Sequence, residues 1–85
     1  MEVTIFIDGE YKTFTVPFVN ALTLRKSIEI NKEVNFNEIQ EEDLDKLVDF
    51  VVMAFNNQFT REEFYEGVPG KELLKKVDDV MAEAM

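Results

Sequence analysis

Residues 43–59, DLDKLVDFVVMAFNNQF, decide how the rest of the chain is arranged. At about 100° per residue, Phe50 and Ala54 widen a stripe of apolar residues until more than half of the helix circumference is apolar. A helix at the edge of a small domain needs an apolar face of only about 100°. The sequence therefore predicts a central helix over residues 41–56 with neighbours on more than one side. The stripe itself consists of Leu44, Leu47, Val48, Val51, Val52 and Phe55.

Residues 2–16 predict an N-terminal β-hairpin. Branched apolar residues occupy every second position of residues 3–7, and alternation resumes over residues 11–16, which is the period of a half-buried strand. Between the two runs, Asp8-Gly9 tolerates the positive φ values of a tight turn. A two-residue loop at that dipeptide places Val3 opposite Phe14, Ile5 opposite Lys12, Thr4 opposite Thr13 and Phe6 opposite Tyr11.

Phe6 and Tyr11 point away from the buried face of this hairpin, whether the loop has two residues or four. Two explanations remain open at this point: another part of the chain covers them, or they contact a partner. Met53 poses a related question, because it lies on the polar side of the central helix, although a lone exposed apolar residue is normal. The unpaired hairpin edges also invite strand addition by a second copy or a ligand segment.

Three further helices are predicted, over residues 18–30, 60–66 and 71–84. In the first, Ala21, Leu24 and Ile28 share the face expected to pack between the hairpin and the central helix. The second begins with the capping-box pattern Thr60-Arg61-Glu62-Glu63. The predicted fold is a single domain over residues 1–85, α+β and mostly helical, in which an N-terminal β-hairpin is followed by three to four helices packed around the central helix.

Composition narrows the possible functions. The chain of 85 residues contains no cysteine and no histidine, which argues against disulfides, thiolate chemistry, zinc sites and the commonest general base. Its net charge of −9 disfavours binding to nucleic acid or to anionic membranes and favours a basic protein partner or simple solubility. No apolar run approaches the roughly 18 residues of a membrane-spanning helix. We expect a soluble, intracellular protein that is not an enzyme.

The densest carboxylates raise the question of a metal site. Asp43-x-Asp45 lacks the glycine and the terminal bidentate acid of a calcium loop, and it runs into helical Leu47. We interpret these side chains as a solvated helix face and partners of the helix dipole. No catalytic, cofactor-binding or metal-binding residue is predicted. The carboxylates in question are Glu38, Glu41, Glu42, Asp43, Asp45 and Asp49.

Several segments together resemble one family. They are LTLRKSIEI (22–30), DLDKLVDFVVMAFNNQFT (43–60), EGVPG (66–70) and ELLKKVDDVM (72–81), and the most specific piece is the continuation NNQFTREEFYEGV. Their order and spacing resemble the tail assembly chaperones of long-tailed phages (siphoviruses) and prophages of Gram-positive bacteria. The resemblance covers nearly the whole chain and lies in apolar positions and turn residues.

The resemblance implies a non-enzymatic protein of the infected host cytoplasm that does not join the mature virion. Such chaperones bind the aggregation-prone tape measure protein and help tail tube protein polymerise around it, and many also have a longer, frameshifted form. A chaperone of apolar helices needs exposed apolar surface on a charged body. The predicted partner-binding residues are Phe6, Tyr11, Phe50 and Met53.

Competing hypotheses are an acidic inhibitor that mimics nucleic acid and a self-associating structural subunit; a homo-oligomer also remains possible.

Overall fold

A computed structural model describes residues 1–84 and shows a β-hairpin followed by four helices. The predicted fold class, α+β and mostly helical, is confirmed; Met85, the last residue of the predicted domain, lies outside the described residues. One hydrophobic core includes residues of the hairpin and of every helix. The elements are β1 (Glu2–Ile7), β2 (Glu10–Thr15), α1 (Ala21–Glu33), α2 (Glu41–Ala54), α3 (Arg61–Gly67) and α4 (Gly70–Ala84).

The hairpin has the predicted register. Asp8 and Gly9 form the turn with φ values of 52° and 82°, and Phe6 pairs with Tyr11. Mutual backbone hydrogen bonds between Met1 and Val16, of 3.0 and 3.2 Å, extend the pairing beyond the strands. The turn therefore fixes which residues of β1 face the core, because a one-residue slip would expose the buried set.

Helix α2 is the central helix, as predicted. Leu47, Phe50 and Val51 are fully buried, and the helix packs against α1, α3 and α4. It ends at Ala54, two residues earlier than predicted. Asn56 and Asn57 both have φ of 57°, a left-handed conformation that ends the helix before them.

Helix α3 begins and ends one residue later than its predicted bounds of 60–66, and α4 begins one residue earlier than its predicted bounds of 71–84. The predicted capping box is present: Glu63 N donates to Thr60 Oγ1 at 3.1 Å, and Thr60 N donates to Glu63 Oε1 at 2.8 Å. At the other end of α3, a Cβ on Gly67 would overlap with Ile5 Cγ2 and the carbonyl oxygen of Phe6. Gly67 therefore allows α3 to approach the backbone of β1 closely.

Helix α1 differs most from expectation. It begins at Ala21 instead of residue 18, because Asn20 Oδ1 accepts a hydrogen bond from Thr23 N at 3.0 Å and caps the helix there. It continues to Glu33, three residues beyond its predicted end at residue 30. None of the helices in residues 1–84 has the length and apolarity needed to cross a lipid bilayer.

The predicted inward face of α1 is also wrong. Ala21, Leu24 and Ile28 are exposed, and the buried residues of the helix are Thr23, Ser27 and Ile30. Burying Ser27 is tolerable because its hydroxyl donates to the carbonyl oxygen of Leu24 at 2.8 Å. Its small side chain allows α1 to lie close to the helices α2 and α4 beneath it.

Candidate protein-binding surfaces

Exposed large apolar side chains define the candidate site. Such residues are common singly on protein surfaces, and they become informative when they cluster. Two groups stand out here, one on the hairpin and one on α1. Across residues 1–84 the large apolar side chains classed as exposed are Phe6, Tyr11, Phe18, Leu22, Leu24, Ile28, Phe36 and Leu74.

The aromatic pair Phe6 and Tyr11 lies on the outer face of the hairpin, as predicted. The ring centroids are 4.9 Å apart and the rings are inclined by 30°, with exposed fractions of 45% and 78%. No other part of residues 1–84 covers them, which removes one of the two explanations left open by the sequence. That they contact a partner stays a prediction.

Acidic side chains border this aromatic pair. A groove beside Phe6 is lined by Ile7, Asp8, Glu63 and Glu66. The groove forms because Gly67 brings the end of α3 against β1. We call the set Phe6, Tyr11, Asp8, Glu63 and Glu66 the hairpin surface; it combines exposed aromatic area with negative charge.

The two edges of the hairpin are not equivalent. The free backbone groups of Phe6, on the outer edge of β1, face Gly67 of α3. On β2, the carbonyl of Thr15 accepts a 2.9 Å hydrogen bond from Gln58 Nε2. Given the register, the backbone groups of Tyr11 and Thr13 also face the outer edge of β2. At the positions of Phe6 and Thr15, therefore, part of each outer edge already faces another segment of the chain.

The exposed apolar residues of α1 form the second group. Leu24 and Ile28 are 39% and 51% exposed and lie one turn apart, in line with Lys32 and beside Arg25. We call these four residues the α1 surface. The sequence analysis missed it because it assigned Leu24 and Ile28 to the core. The available signal was the run of Thr23, Ser27, Ile30 and Val34 at helical spacing, which marks the buried face.

Two of the four predicted partner-binding residues do not have the expected environment. Phe50 is fully buried, so it offers no surface to a partner in this structure. Met53 is partly buried against the core. Met53 lies one turn beyond Asp49, which pairs with Arg61 of α3, on a flank of α2 that had been expected to face solvent.

The acidic flank of α2 forms a polar contact with α3. Arg61 Nε donates to Asp49 Oδ1 at 2.8 Å and Arg61 Nη2 donates to Asp49 Oδ2 at 2.6 Å. One turn away, the Tyr65 hydroxyl donates to Asp45 Oδ1 at 2.6 Å. These two acids had been interpreted as a solvated face; their side chains remain 38% and 51% exposed, and they also pair with side chains of the neighbouring helix.

Both partners on α3 have shifted pKa values. The hydrogen bonds from Arg61 to Asp49 raise the pKa of Arg61 above its usual value, so its charge is permanent. Burial, followed by the hydrogen bond to Asp45, raises the pKa of Tyr65 above its usual value. Within residues 1–84, no group of three or more acidic side chains is placed to hold a metal ion. The hydrogen bonds of Arg61 and Tyr65 therefore connect α3 to α2.

Comparison with known protein families gives a match over the whole chain. The family model described as phage tail chaperone protein matches residues 1–85. No curated protein and no solved structure matches the chain.

Proposed function

Because the chain belongs to the phage tail chaperone family, we propose that it binds the tape measure protein and assists polymerisation of tail tube protein around it. The proposed role is non-catalytic and takes place in the cytoplasm of the host bacterium, before the virion is complete. A Gram-positive host is part of the same proposal.

The observation that carries this proposal is the orientation of α1. A helix that buries Thr23 and Ser27 while exposing Leu24 and Ile28 places apolar area where folding does not use it. Apolar area left on a monomer's surface is typical of a binding site for another protein. The net charge of −9 keeps such a protein soluble despite the exposed residues.

The hairpin surface supports the same role. Phe6 and Tyr11 present two stacked rings to solvent, and aromatic side chains contribute much of the binding energy where they enter a partner's pocket. Tape measure segments that are helical and apolar would lose exposed surface against these rings and against Leu24 and Ile28. We therefore propose both surfaces as contacts for the unassembled tail proteins.

Co-expression with a tape measure fragment tests the proposal. Capture of the fragment should persist between about 0.1 M and 1 M salt, where the Debye length falls from about 10 Å to 3 Å, because apolar burial is not screened. Replacing Phe6 and Tyr11 with serine should weaken capture while leaving the thermal melt by circular dichroism nearly unchanged. Leu74→Gln, at an exposed apolar position on α4, is the matched control.

Other outcomes would contradict the proposal. A capture that disappears at high salt, with a basic nucleic-acid enzyme retained in its place, would favour the acidic inhibitor. A fold lost in the serine variant would make Phe6 and Tyr11 structural residues. No capture of the fragment, and no effect of the protein on the yield of tail tubes, would remove the proposed function altogether.

A further inference from the structure

The outer edge of the hairpin is open where β1 begins. Met1 and Val16 exchange backbone hydrogen bonds, and every second pair of an antiparallel ladder does the same, so the backbone N–H and C=O groups of Glu2 and Thr4 point away from β2. Phe6 has the same orientation and faces α3. Within residues 1–84, no group forms a hydrogen bond to the outward-facing backbone groups of Glu2 and Thr4. We propose that this edge binds an extended, basic segment of another protein as an added β-strand.

A groove beside this edge provides space for the side chains of an added strand. It has a volume of about 470 Å³ and lies between the start of β1 and the last turns of α4, with Val3, Val80 and Ala82 in its lining. Successive side chains of a strand point to opposite faces. In a segment paired with residues 2–4, the central side chain therefore lies on the face of Val3, towards the groove, and its two neighbours lie on the opposite face. A small apolar residue such as valine suits the central position.

Charge favours basic residues at the two flanking positions. The groove is lined by the carboxylates of Glu2, Asp79 and Glu83 and by one basic side chain, Lys76. Asp79 pairs with Lys75 at 3.1 Å, whereas Glu2 and Glu83 form no ion pair with any residue in the range 1–84. The N-terminal ammonium group, also at the groove, donates to a backbone carbonyl. The end of α4 adds negative partial charge, and its last turn holds no basic residue. A lysine or arginine directly opposite Glu2 would form a favourable cross-strand pair.

A second copy of the chain is a poor occupant of this edge. Strand β1 itself contains no lysine or arginine. Nowhere in the sequence are two basic residues separated by a single residue, which is the spacing that the occupant has on either side of its apolar side chain. The partner is therefore a different protein, with the pattern basic, small apolar, basic in an extended region. This inference goes beyond the proposed function, in which helical segments contact the hairpin surface and the α1 surface.

Titration with a short peptide tests the inference without any tail protein. The probe is the acetylated and amidated peptide Ser-Lys-Val-Lys-Ser, added to isotope-labelled protein whose backbone amide chemical shifts are followed by NMR. Binding should be saturable with a Kd of about 1 mM or tighter. The largest shift changes are expected for the amide groups of Glu2 and Thr4 and for Val80 and Ala82 in the groove.

Methylated peptides separate strand addition from attraction between charges. In the proposed pairing, both lysine N–H groups of the peptide donate to β1, while the valine N–H points away from it. N-methylation of the two lysines should therefore abolish saturable binding at the same net charge, and N-methylation of the valine should leave most of it. The peptide Ser-Glu-Val-Glu-Ser should bind about tenfold more weakly than the lysine peptide, because one of its carboxylates would face Glu2.

Two proline variants are a matched pair on the protein side. Thr4→Pro removes an outward-facing donor of β1, and Thr13→Pro makes the same change on the outer edge of β2. Both leave the backbone hydrogen bonds between the strands in place, and both lose the 2.9 Å side-chain hydrogen bond that joins Thr4 to Thr13. Thr4→Pro should weaken binding about tenfold, whereas Thr13→Pro should bind like the wild type. Glu2→Lys should weaken binding of the lysine peptide about twofold to fivefold.

Several results would overturn the inference. They are shift changes that do not saturate at about 10 mM peptide, equal binding of the peptide methylated at both lysines, and shift changes confined to the hairpin surface. Equal binding by Thr4→Pro and Thr13→Pro, with both folded by circular dichroism, would do the same. If a proline variant does not fold, the methylated peptides decide, because they act on the wild-type protein. Since no tape measure fragment is present, failure of this binding and failure of the proposed function are separate results.

Discussion

Helices α1 and α2 have nearly the same length and lie against each other, yet they place their apolar residues on opposite sides. In α2, Leu47, Phe50 and Val51 are fully buried. In α1, Leu22 and Ile28 are 60% and 51% exposed, and the buried positions include Thr23 and Ser27. The sequence pattern of each helix is amphipathic, but only α2 directs its apolar face to the core.

This difference separates two uses of apolar side chains. Those of α2 contribute to the stability of the fold, because they leave water when the chain folds. Leu22, Leu24 and Ile28 of α1 remain partly in water after folding and lose this exposed area only when another molecule binds. Substitutions in the two helices should therefore have different consequences, and the predictions below run from the largest expected effect on stability to the smallest.

Phe50→Ala should have the largest effect. Removing a fully buried aromatic ring from α2 costs about 3–5 kcal/mol through lost transfer energy and the cavity left behind. Urea unfolding followed by circular dichroism measures the change. Leu22→Ala, the corresponding truncation on the outside of α1, should cost less than about 1 kcal/mol. Similar losses of unfolding free energy in both variants would contradict the claim that only α2 uses its apolar face for stability.

Ser27→Leu should destabilise by about 1–3 kcal/mol, because it inserts a large side chain where α1 lies close to its neighbours. Ser27→Ala, which keeps the small volume, should change stability by less than about 1 kcal/mol. Thermal unfolding of the two variants provides the measurement. A stabilised Ser27→Leu protein would mean that α1 can bury more apolar area than the structure shows.

Tyr65→Phe tests the hydrogen bond between α3 and the polar flank of α2. It removes the hydrogen bond to Asp45 and leaves the ring, so it should cost about 1 kcal/mol at neutral pH. The raised pKa of Tyr65 also predicts a pH dependence. The folded protein retains the phenolic proton at pH values where the unfolded chain releases it. The contribution of Tyr65 to the free energy of unfolding is therefore complete below the unfolded pKa of about 10 and declines above it.

The difference in stability between wild type and Tyr65→Phe should therefore shrink as the pH rises above about 10. Urea unfolding at a series of alkaline pH values measures it, and the variant itself supplies the control, since every other titrating group is unchanged. A difference that stays constant through this range would show that Tyr65 does not hold its proton more tightly in the folded state.

The sequence was informative where local chemistry decides the structure. Asp8-Gly9 determined the hairpin register, and Thr60 with Glu63 determined the start of α3. The exposed pair Phe6 and Tyr11 followed from the same register. Each of these features depends on residues close together in the chain, so a pattern of spacing is enough to find it.

The sequence was uninformative where packing between distant segments decides. The inward face of α1 is set by how closely α2 and α4 approach it, and this favours Thr23 and Ser27 over the more apolar Leu24 and Ile28. The partial burial of Met53 against the core was likewise not indicated by the spacing of residues within α2. Helical periodicity identifies the faces of a helix, but it does not say which face the rest of the chain will cover.

The most direct test of this account is the free energy of unfolding of the double variant Leu22→Gln with Ile28→Gln. Glutamine keeps helix propensity and part of the aliphatic chain, so only the exposed apolar ends are lost. The account predicts a change of less than about 1 kcal/mol, within the range of ordinary surface substitutions. A loss of about 3 kcal/mol or more, comparable to a core truncation, would contradict it by showing that the outside of α1 is required for folding.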